Sequence, residues 1–290
     1  MQKLYYNWPM KYVYLSSGQF GAAILADLKV KPELVITQPD KKGGRGLKQI
    51  IATPVKQYCQ EHKIKYQTDL IVKGWNPFLD CQLALVADYG VIINAALLTQ
   101  PKLGFFNIHP SLLPKYRGST PLQSAILNDE KVTGVSIIKM DEKVDHGPLV
   151  AQEKLNVDIN DSYLTLLNKT AKLGAEMFNK LNFNHLSPIS QNHLFATYTK
   201  KLTKQDGYIP IEQLIPYLTP IFKKYNLLHL LPNQAEKPIY RLKLYNLIRA
   251  LSPWPGVWSQ SQDKIIKLVS SNFATSFLQL QIAIDGKFYF

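Results

Sequence analysis

Over its first 190 residues the chain alternates short apolar runs with segments whose apolar residues recur at helical spacing. Few folds accept that alternation. Residues 12–15 and 34–37 read as strands, with a helix over 19–28 between them. Thr53 before Pro54 reads as an N-cap followed by proline at the first helical position, opening a helix toward His62. Further strands are expected over 83–87, 104–109 and 135–140. Across 161–181, Leu164, Leu167, Ala171, Ala175 and Phe178 fall on one helical stripe. Strands separated by helices predict an α/β domain around a mostly parallel sheet. Such sheets bind ligands at the carboxyl ends of their strands, near the switch in strand order.

The texture changes near residue 182. Asn182, Asn184, His185, Ser187, Pro188, Ser190, Gln191 and Asn192 form a polar stretch suited to a linker. Beyond 207, residues 211–230 read as a helix or helix pair around Pro216 and Pro220, and 240–251 as an amphipathic helix ending before Ser252-Pro253-Trp254-Pro255-Gly256. Alternating runs over 265–269 and 277–284 read as antiparallel strands. A chain of 290 residues favours about two domains. The changes of texture put them at 1–184 and 207–290, with the linker over 185–206.

Charge narrows the partners. Lys plus Arg is 34 against 21 for Asp plus Glu, a net +13. Residues 1–190 carry 22 basic and 16 acidic side chains, whereas 191–290 carry 12 and 5. A field concentrated in that way attracts a polyanion, nucleic acid being the usual one. Two cysteines, Cys59 and Cys81, exclude a disulfide-dense scaffold and a cysteine zinc site, and fit a reducing, cytoplasmic compartment. Tyr5, Tyr6, Asn7 and Trp8 interrupt the start of the chain, so no targeting segment is expected there. The most apolar stretch, 83–98, is broken by Asp88 and Asn94 and is too short to span a bilayer, so no membrane partner is expected.

Residues 105–118 carry the chemistry. In a strand over 105–109 the period of two puts Asn107 and His109 on one face, and Phe106 and Ile108 on the other. Pro110 cannot donate to a ladder and ends the strand. An amide beside an imidazole can stabilise an oxyanion and handle a proton; it can equally be a hydrogen-bonded strand end with a satisfied histidine. The loop after 135–140 adds Asp141, Glu142 and Asp145, which could hold the imidazole or stay solvated. Around Gly43, Gly44 and Gly46 stand Lys41, Lys42, Arg45 and Lys48, a cationic segment suited to a phosphate backbone or a plain solvated loop.

Taken together, Asn107-Ile108-His109, Ser111-Leu112-Leu113-Pro114, Tyr116-Arg117-Gly118 and Asp145 resemble the 10-formyltetrahydrofolate-dependent formyltransferases. The segments 37–46, 197–204 and 252–256 resemble the branch whose acceptor is initiator methionyl-tRNA. The likeness runs from about 11 to 290. Pro110 replaces the usual glycine, 208–240 is longer than in familiar members, and Phe290 follows soon after Gly286-Lys287, where the family normally continues with a helix.

The resemblance implies a Rossmann-like, mostly parallel N-terminal formyltransferase domain and a smaller, reduced OB-like β-rich C-terminal domain that binds tRNA. It implies formyl transfer from 10-formyltetrahydrofolate to the methionine amine of initiator methionyl-tRNA, for translation initiation, by a monomer that needs no metal. The catalytic residues implied are Asn107, His109 and Asp145. The folate is expected along Val86, Ala87, Tyr89, Gly90, Ser111, Leu112, Leu113, Pro114 and Asp141. The tRNA is expected on Lys41, Lys42, Arg45, Lys48, Lys200 and Lys204. Lys201, Lys223, Lys224, Lys243 and Arg249 are further candidates, and 38–52 is expected to be mobile without RNA. Three alternatives stay open: an N-formyltransferase acting on a nucleotide-linked amino sugar, a non-catalytic tRNA-binding protein, and a hydrolase releasing formate from the same donor.

Overall fold

The computed structural model describes residues 11–43, 48–69, 76–232, 237, 239–273 and 278–290, apart from the side chains of 272 and 273. The chain begins β1 (Tyr12–Leu15), α1 (Gln19–Asp27), β2 (Leu34–Ile36), β3 (Lys41–Gly43), β4 (Gln49–Ile51), α2 (Pro54–Glu61) and β5 (Tyr66–Gln67). It continues β6 (Leu83–Val86), α3 (Ala95–Leu98), β7 (Phe105–His109), α4 (Pro121–Leu127), β8 (Val132–Lys139), β9 (Leu149–Asn156) and α5 (Tyr163–Lys180). Then come α6 (Ile211–Lys224), α7 (Arg241–Leu251), β10 (Val257–Ser261), β11 (Lys264–Phe273), β12 (Leu278–Ile284) and β13 (Lys287–Tyr289).

Two compact units result. One comprises Met1–Pro121, Val132–Asn156 and Leu167–Thr199; the other comprises Leu122–Lys131, Val157–Leu166 and Lys200–Phe290. The first is built on a seven-stranded sheet of order β5-β2-β1-β6-β7-β8-β9. From β5 to β7 the strands are parallel, as expected, and β8 and β9 return antiparallel. Every residue of β1, β2 and β6 is buried, which is what a strand between two layers requires. One layer packs Val86, Tyr89, Leu97 and Phe105 together with Phe78. Opposite it, Tyr12 meets Phe178 at 5.7 Å and Phe106 meets Phe183 edge-on at 5.6 Å. Helix α5 passes close to the sheet there, since a Cβ on Gly174 would fall 2.7 Å from Ile108. Thr53 caps α2 as expected, its hydroxyl accepting from the Lys56 N–H at 3.1 Å.

Within 38–52, which reads as a mobile segment, β3 and β4 form an antiparallel ladder pairing Lys41 with Ile51 and Gly43 with Gln49. Residues 44–47, and with them Arg45, lie outside the described residues, as do 1–10. Residues 185–199, read as linker, are bound into the first unit: Leu149 and Ile189 exchange backbone hydrogen bonds, and Arg117 N–H donates to the Thr197 carbonyl at 2.8 Å.

In the second unit α6 is a single helix although it contains Pro216 and Pro220. The two prolines are four apart and both exposed, so the gaps they leave in the hydrogen-bond ladder lie along the outer face, while Leu214, Leu218 and Phe222 are buried. Strands β10 to β13 form a four-stranded antiparallel meander. Among the described residues this is an open sheet. Arg249, a candidate for phosphate contact from sequence, is instead 6% exposed. Its Nη1 donates to the Asp161 carbonyl at 2.7 Å, its Nε donates to Asn246 Oδ1 at 3.0 Å, and Tyr245 beside it donates to Asn160 at 3.2 Å. A buried guanidinium is tolerated there because backbone carbonyls and the Asn246 amide receive its donors. Arg249→Ala strands those acceptors and should cost about 2–4 kcal/mol in denaturant unfolding.

Candidate active site

Strand β7 ends where the sheet stops being parallel, and Asn107 and His109 project from that end on one face. Val86 of β6 pairs with Asn107, and Ser136 of β8 with His109. Phe105 precedes them on the same face and belongs to the buried apolar layer, so the two polar side chains are the last residues of a core stripe. His109 is 4% exposed and Asn107 half-buried.

Asp145, on the loop after β8, meets both. Asn107 Nδ2 donates to its Oδ1 at 3.1 Å. Its Oδ2 accepts the Gly118 N–H at 2.8 Å and lies 3.6 Å from His109 Nδ1. The other ring nitrogen, Nε2, is 3.0 Å from the Tyr116 carbonyl. A carbonyl can only accept, so Nε2 carries a proton, and Nδ1 is left as the nitrogen that gains or loses one next to Asp145. The cluster joins an amide donor, an imidazole with a fixed tautomer and a carboxylate. It is equipped to steady a developing negative charge and to move a proton.

The sequence signature anticipates Asn107, His109 and Asp145 but not the backbone atoms that hold them. Tyr116 and Gly118 both sit at positive φ, +60° and +106°. A Cβ on Gly118 would stand 2.8 Å from Thr199 Oγ1, so only glycine brings its N–H to Asp145 here.

The residues expected along the folate fall into two sets. Ser111, Leu113, Val86, Ala87 and Tyr89 are buried. Ser111 Oγ donates to the Lys115 carbonyl at 2.6 Å, and the Leu113 N–H and carbonyl are taken by Ser136 and Gln152. These residues frame the loop. Leu112 and Pro114 are half-buried and Gly90 is exposed, so their surfaces face outward. Asp141 accepts from His146 Nδ1 at 2.6 Å, and the His146 ring stacks on His193 at 4.1 Å.

A cavity of about 420 Å³ opens at the carboxyl ends of β1, β2 and β6, between Gly18, Gln38, Lys42, Thr53, Asp88 and Gly90. That is the switch in strand order, where β2 and β6 flank β1. Lys41 bonds Gln38 at its mouth, and Lys42 and Lys48 are exposed on the hairpin. Of the other expected cations, Lys200 pairs with Asp206, and Lys204 lies 5.2 Å over the Trp258 ring. Nothing in the sequence singles out Asp88 as a site residue. The residue is exposed, but its carboxyl turns in against Gly18, where a Cβ would be 1.6 Å from Oδ2. Desolvation there pushes its pKa up to about 6. Among the described residues no group of three His, Cys, Asp or Glu side chains could hold a metal ion, and no helix is long and apolar enough to cross a membrane.

Comparison with known proteins adds a second line. The formyl transferase family matches residues 10–181, and the formyl transferase C-terminal domain matches 241–283. Methionyl-tRNA formyltransferase of Dictyoglomus turgidum is 34% identical over 295 residues, spanning 96% of this chain and 83% of that protein. That of Kosmotoga olearia is 34% identical over 271 residues, spanning 89% and 78%. Among solved structures, methionyl-tRNA formyltransferase from Clostridium thermocellum has a TM-score of 0.61 at 14% identity, over 96% of this chain and 100% of that one. An N-formyltransferase from Helicobacter canadensis, in complex with folinic acid and dTDP-3-aminofucose, has 0.62 at 19%, over 97% and 98%. At those identities the structural likeness speaks to the fold.

The Asp88 carboxyl yields a prediction of its own. A carboxyl whose pKa is raised in the folded state costs stability while ionised, and that cost fades as pH falls through the folded value toward the ordinary one. Asp88→Asn should therefore stabilise the protein above pH about 6, with the advantage vanishing near about 4, read from denaturant unfolding across that range.

Proposed function

The chain belongs to the formyl transferase family, and on that premise we propose that it transfers the formyl group of 10-formyltetrahydrofolate to the α-amino group of methionine on initiator methionyl-tRNA. The observation that carries the chemistry is the convergence of Asn107, His109 and Asp145. Support for this acceptor comes from the curated relatives, which are methionyl-tRNA formyltransferases over most of the chain.

The incoming amine must be neutral to attack. An α-amino group titrates at about 7.7–8.0, so a useful fraction is free at neutral pH. Attack on the formyl carbon forms a new C–N bond and an oxyanion, which the Asn107 amide is suited to stabilise. His109 Nδ1, held by the Tyr116 carbonyl on its far side, takes the amine proton with Asp145 steadying the imidazolium. The same proton then goes to the departing folate nitrogen as its C–N bond breaks, so donor and acceptor exchange one formyl group and one proton. The half-buried surfaces of Leu112 and Pro114, with Gly90 and Asp141, are suited to the folate. Lys41, Lys42 and Lys48 on the β3–β4 hairpin, and Lys223, Lys224 and Lys243 of the second unit, all exposed, are suited to phosphates.

A nucleotide-linked amino sugar is the second reading, favoured by the fold shared with the Helicobacter canadensis enzyme. It would use the same three residues and leave the hairpin lysines without a purpose.

Incubation with 10-formyltetrahydrofolate and either initiator methionyl-tRNA or a dTDP-amino sugar separates the two readings: formylmethionyl-tRNA is the expected product. Asn107→Ala, His109→Ala and Asp145→Ala should fold and each lose about 100-fold or more in rate. Near wild-type turnover by His109→Ala would remove it from the chemistry. Replacing Lys41, Lys42 and Lys48 by Gln should weaken tRNA binding and make its salt dependence shallower by roughly 0.7–0.9 for each phosphate no longer neutralised. An unchanged slope would take these lysines off the RNA.

A further inference from the structure

Gln191 lies in the polar stretch that reads as a linker, yet it is 4% exposed, and both ends of its amide are committed. Its Oε1 accepts from Arg117 Nη2 at 2.6 Å and from Nε at 3.3 Å. Its Nε2 donates to the carbonyls of Asp145 at 3.0 Å and Gly147 at 2.7 Å. Arg117 is itself 1% exposed; its Nη2 also donates to His193 Nδ1 at 2.8 Å, and its Nη1 donates to the Tyr198 hydroxyl at 3.2 Å. Either side of Arg117 stand the two backbone groups of the site: the Tyr116 carbonyl on His109 and the Gly118 N–H on Asp145.

We propose that Gln191 is a positioning residue for formyl transfer: by tying the Asp145 and Gly147 carbonyls to the buried Arg117 guanidinium, it sets where the Asp145 carboxylate stands against Asn107 and His109. The inference rests on the formyl-transfer reading above. Asp145 has φ +49°, in the left-handed region, which an aspartate enters more readily than most L residues but still at some cost, so the hydrogen bond to its backbone helps hold it there. Asn107, His109 and Gly118 act on the carboxylate end; Gln191 acts on the backbone end, and the side chain follows the backbone. Its amide cannot be reversed, because the guanidinium offers only donors and the two carbonyls only acceptors. A displacement of about 1 Å at a reacting group costs about 100-fold in rate, so a hold on the loop is legible in kcat.

Two substitutions separate positioning from simple anchoring of Arg117. Gln191→Glu keeps acceptors for the guanidinium and loses both donors to the loop. Gln191→Met keeps the length, carries no charge and loses both sets. Gln191→Glu should hold its thermal midpoint and lose about 10- to 100-fold in kcat, with KM for donor and tRNA changed less than about threefold. Its Gly118 amide, which donates to Asp145, should exchange with deuterium faster than in the wild type. Gln191→Met should fall in kcat at least as far and also lose stability, and should the added charge unfold Gln191→Glu, a folded Gln191→Met with wild-type kcat and Gly118 exchange still overturns the proposal. A folded variant with kcat within about twofold of wild type and unchanged Gly118 exchange overturns the proposal, leaving Gln191 as the partner of Arg117 alone. A wild-type protein that leaves methionyl-tRNA unformylated overturns the acceptor assignment instead, and Gly118 exchange still decides the role of Gln191.

Discussion

A guanidinium keeps its charge at any pH a cell reaches, and this chain buries two, Arg249 in the second unit and Arg117 beside the candidate site. Arg117 is 1% exposed, so the surroundings must provide every acceptor it needs. They are an amide oxygen, an imidazole nitrogen and a phenol oxygen, from Gln191, His193 and Tyr198. All three come from one short segment, which therefore cannot lift away without stranding a charge in an apolar interior. The backbone of Arg117 adds its own bonds to Thr197 and Thr199. With the guanidinium fixed, Tyr116 and Gly118 are fixed on either side of it, and through them His109 and Asp145.

What was legible in the sequence follows from the range of the interactions. Tyr12–Leu15 and Leu83–Val86 show themselves because a strand covered on both faces must be apolar throughout. Thr53-Pro54 shows itself because capping is an interaction three residues long. Asn107 and His109 share a face because strand geometry alone decides it. Strand β9 left no apolar run, since Gln152, Glu153 and Lys154 of this edge strand are exposed. Gln191 was unreadable for another reason: its partners lie 74 and 46 residues away, and a glutamine among asparagines and serines looks like any other polar residue.

Charge counting misleads in a related way. The net +13 points to a polyanion, but several of the cations behind it already have partners. Arg249 is enclosed by carbonyls, Lys200 pairs with Asp206, and Lys56 meets Asp40 at 2.7 Å. The exposed lysines of the β3–β4 hairpin, and of α6 and α7, remain as the field a phosphate backbone would meet. Position, more than number, decides which cations are available.

The anchoring of 185–199 changes where this protein could be cut and rejoined. A recombination that exchanged the carboxy-terminal part at 184 would import a foreign Gln191, His193, Thr197 and Tyr198, and the Asp145 carboxylate would inherit a frame selected in another chain. A crossover after Thr199 would carry guanidinium, amide and carboxylate together. Natural shuffling and laboratory chimeras alike should then tolerate a seam some fifteen residues beyond the place where the sequence turns polar better than one at 184, provided the incoming part keeps an arginine at 249 for the Asp161 carbonyl.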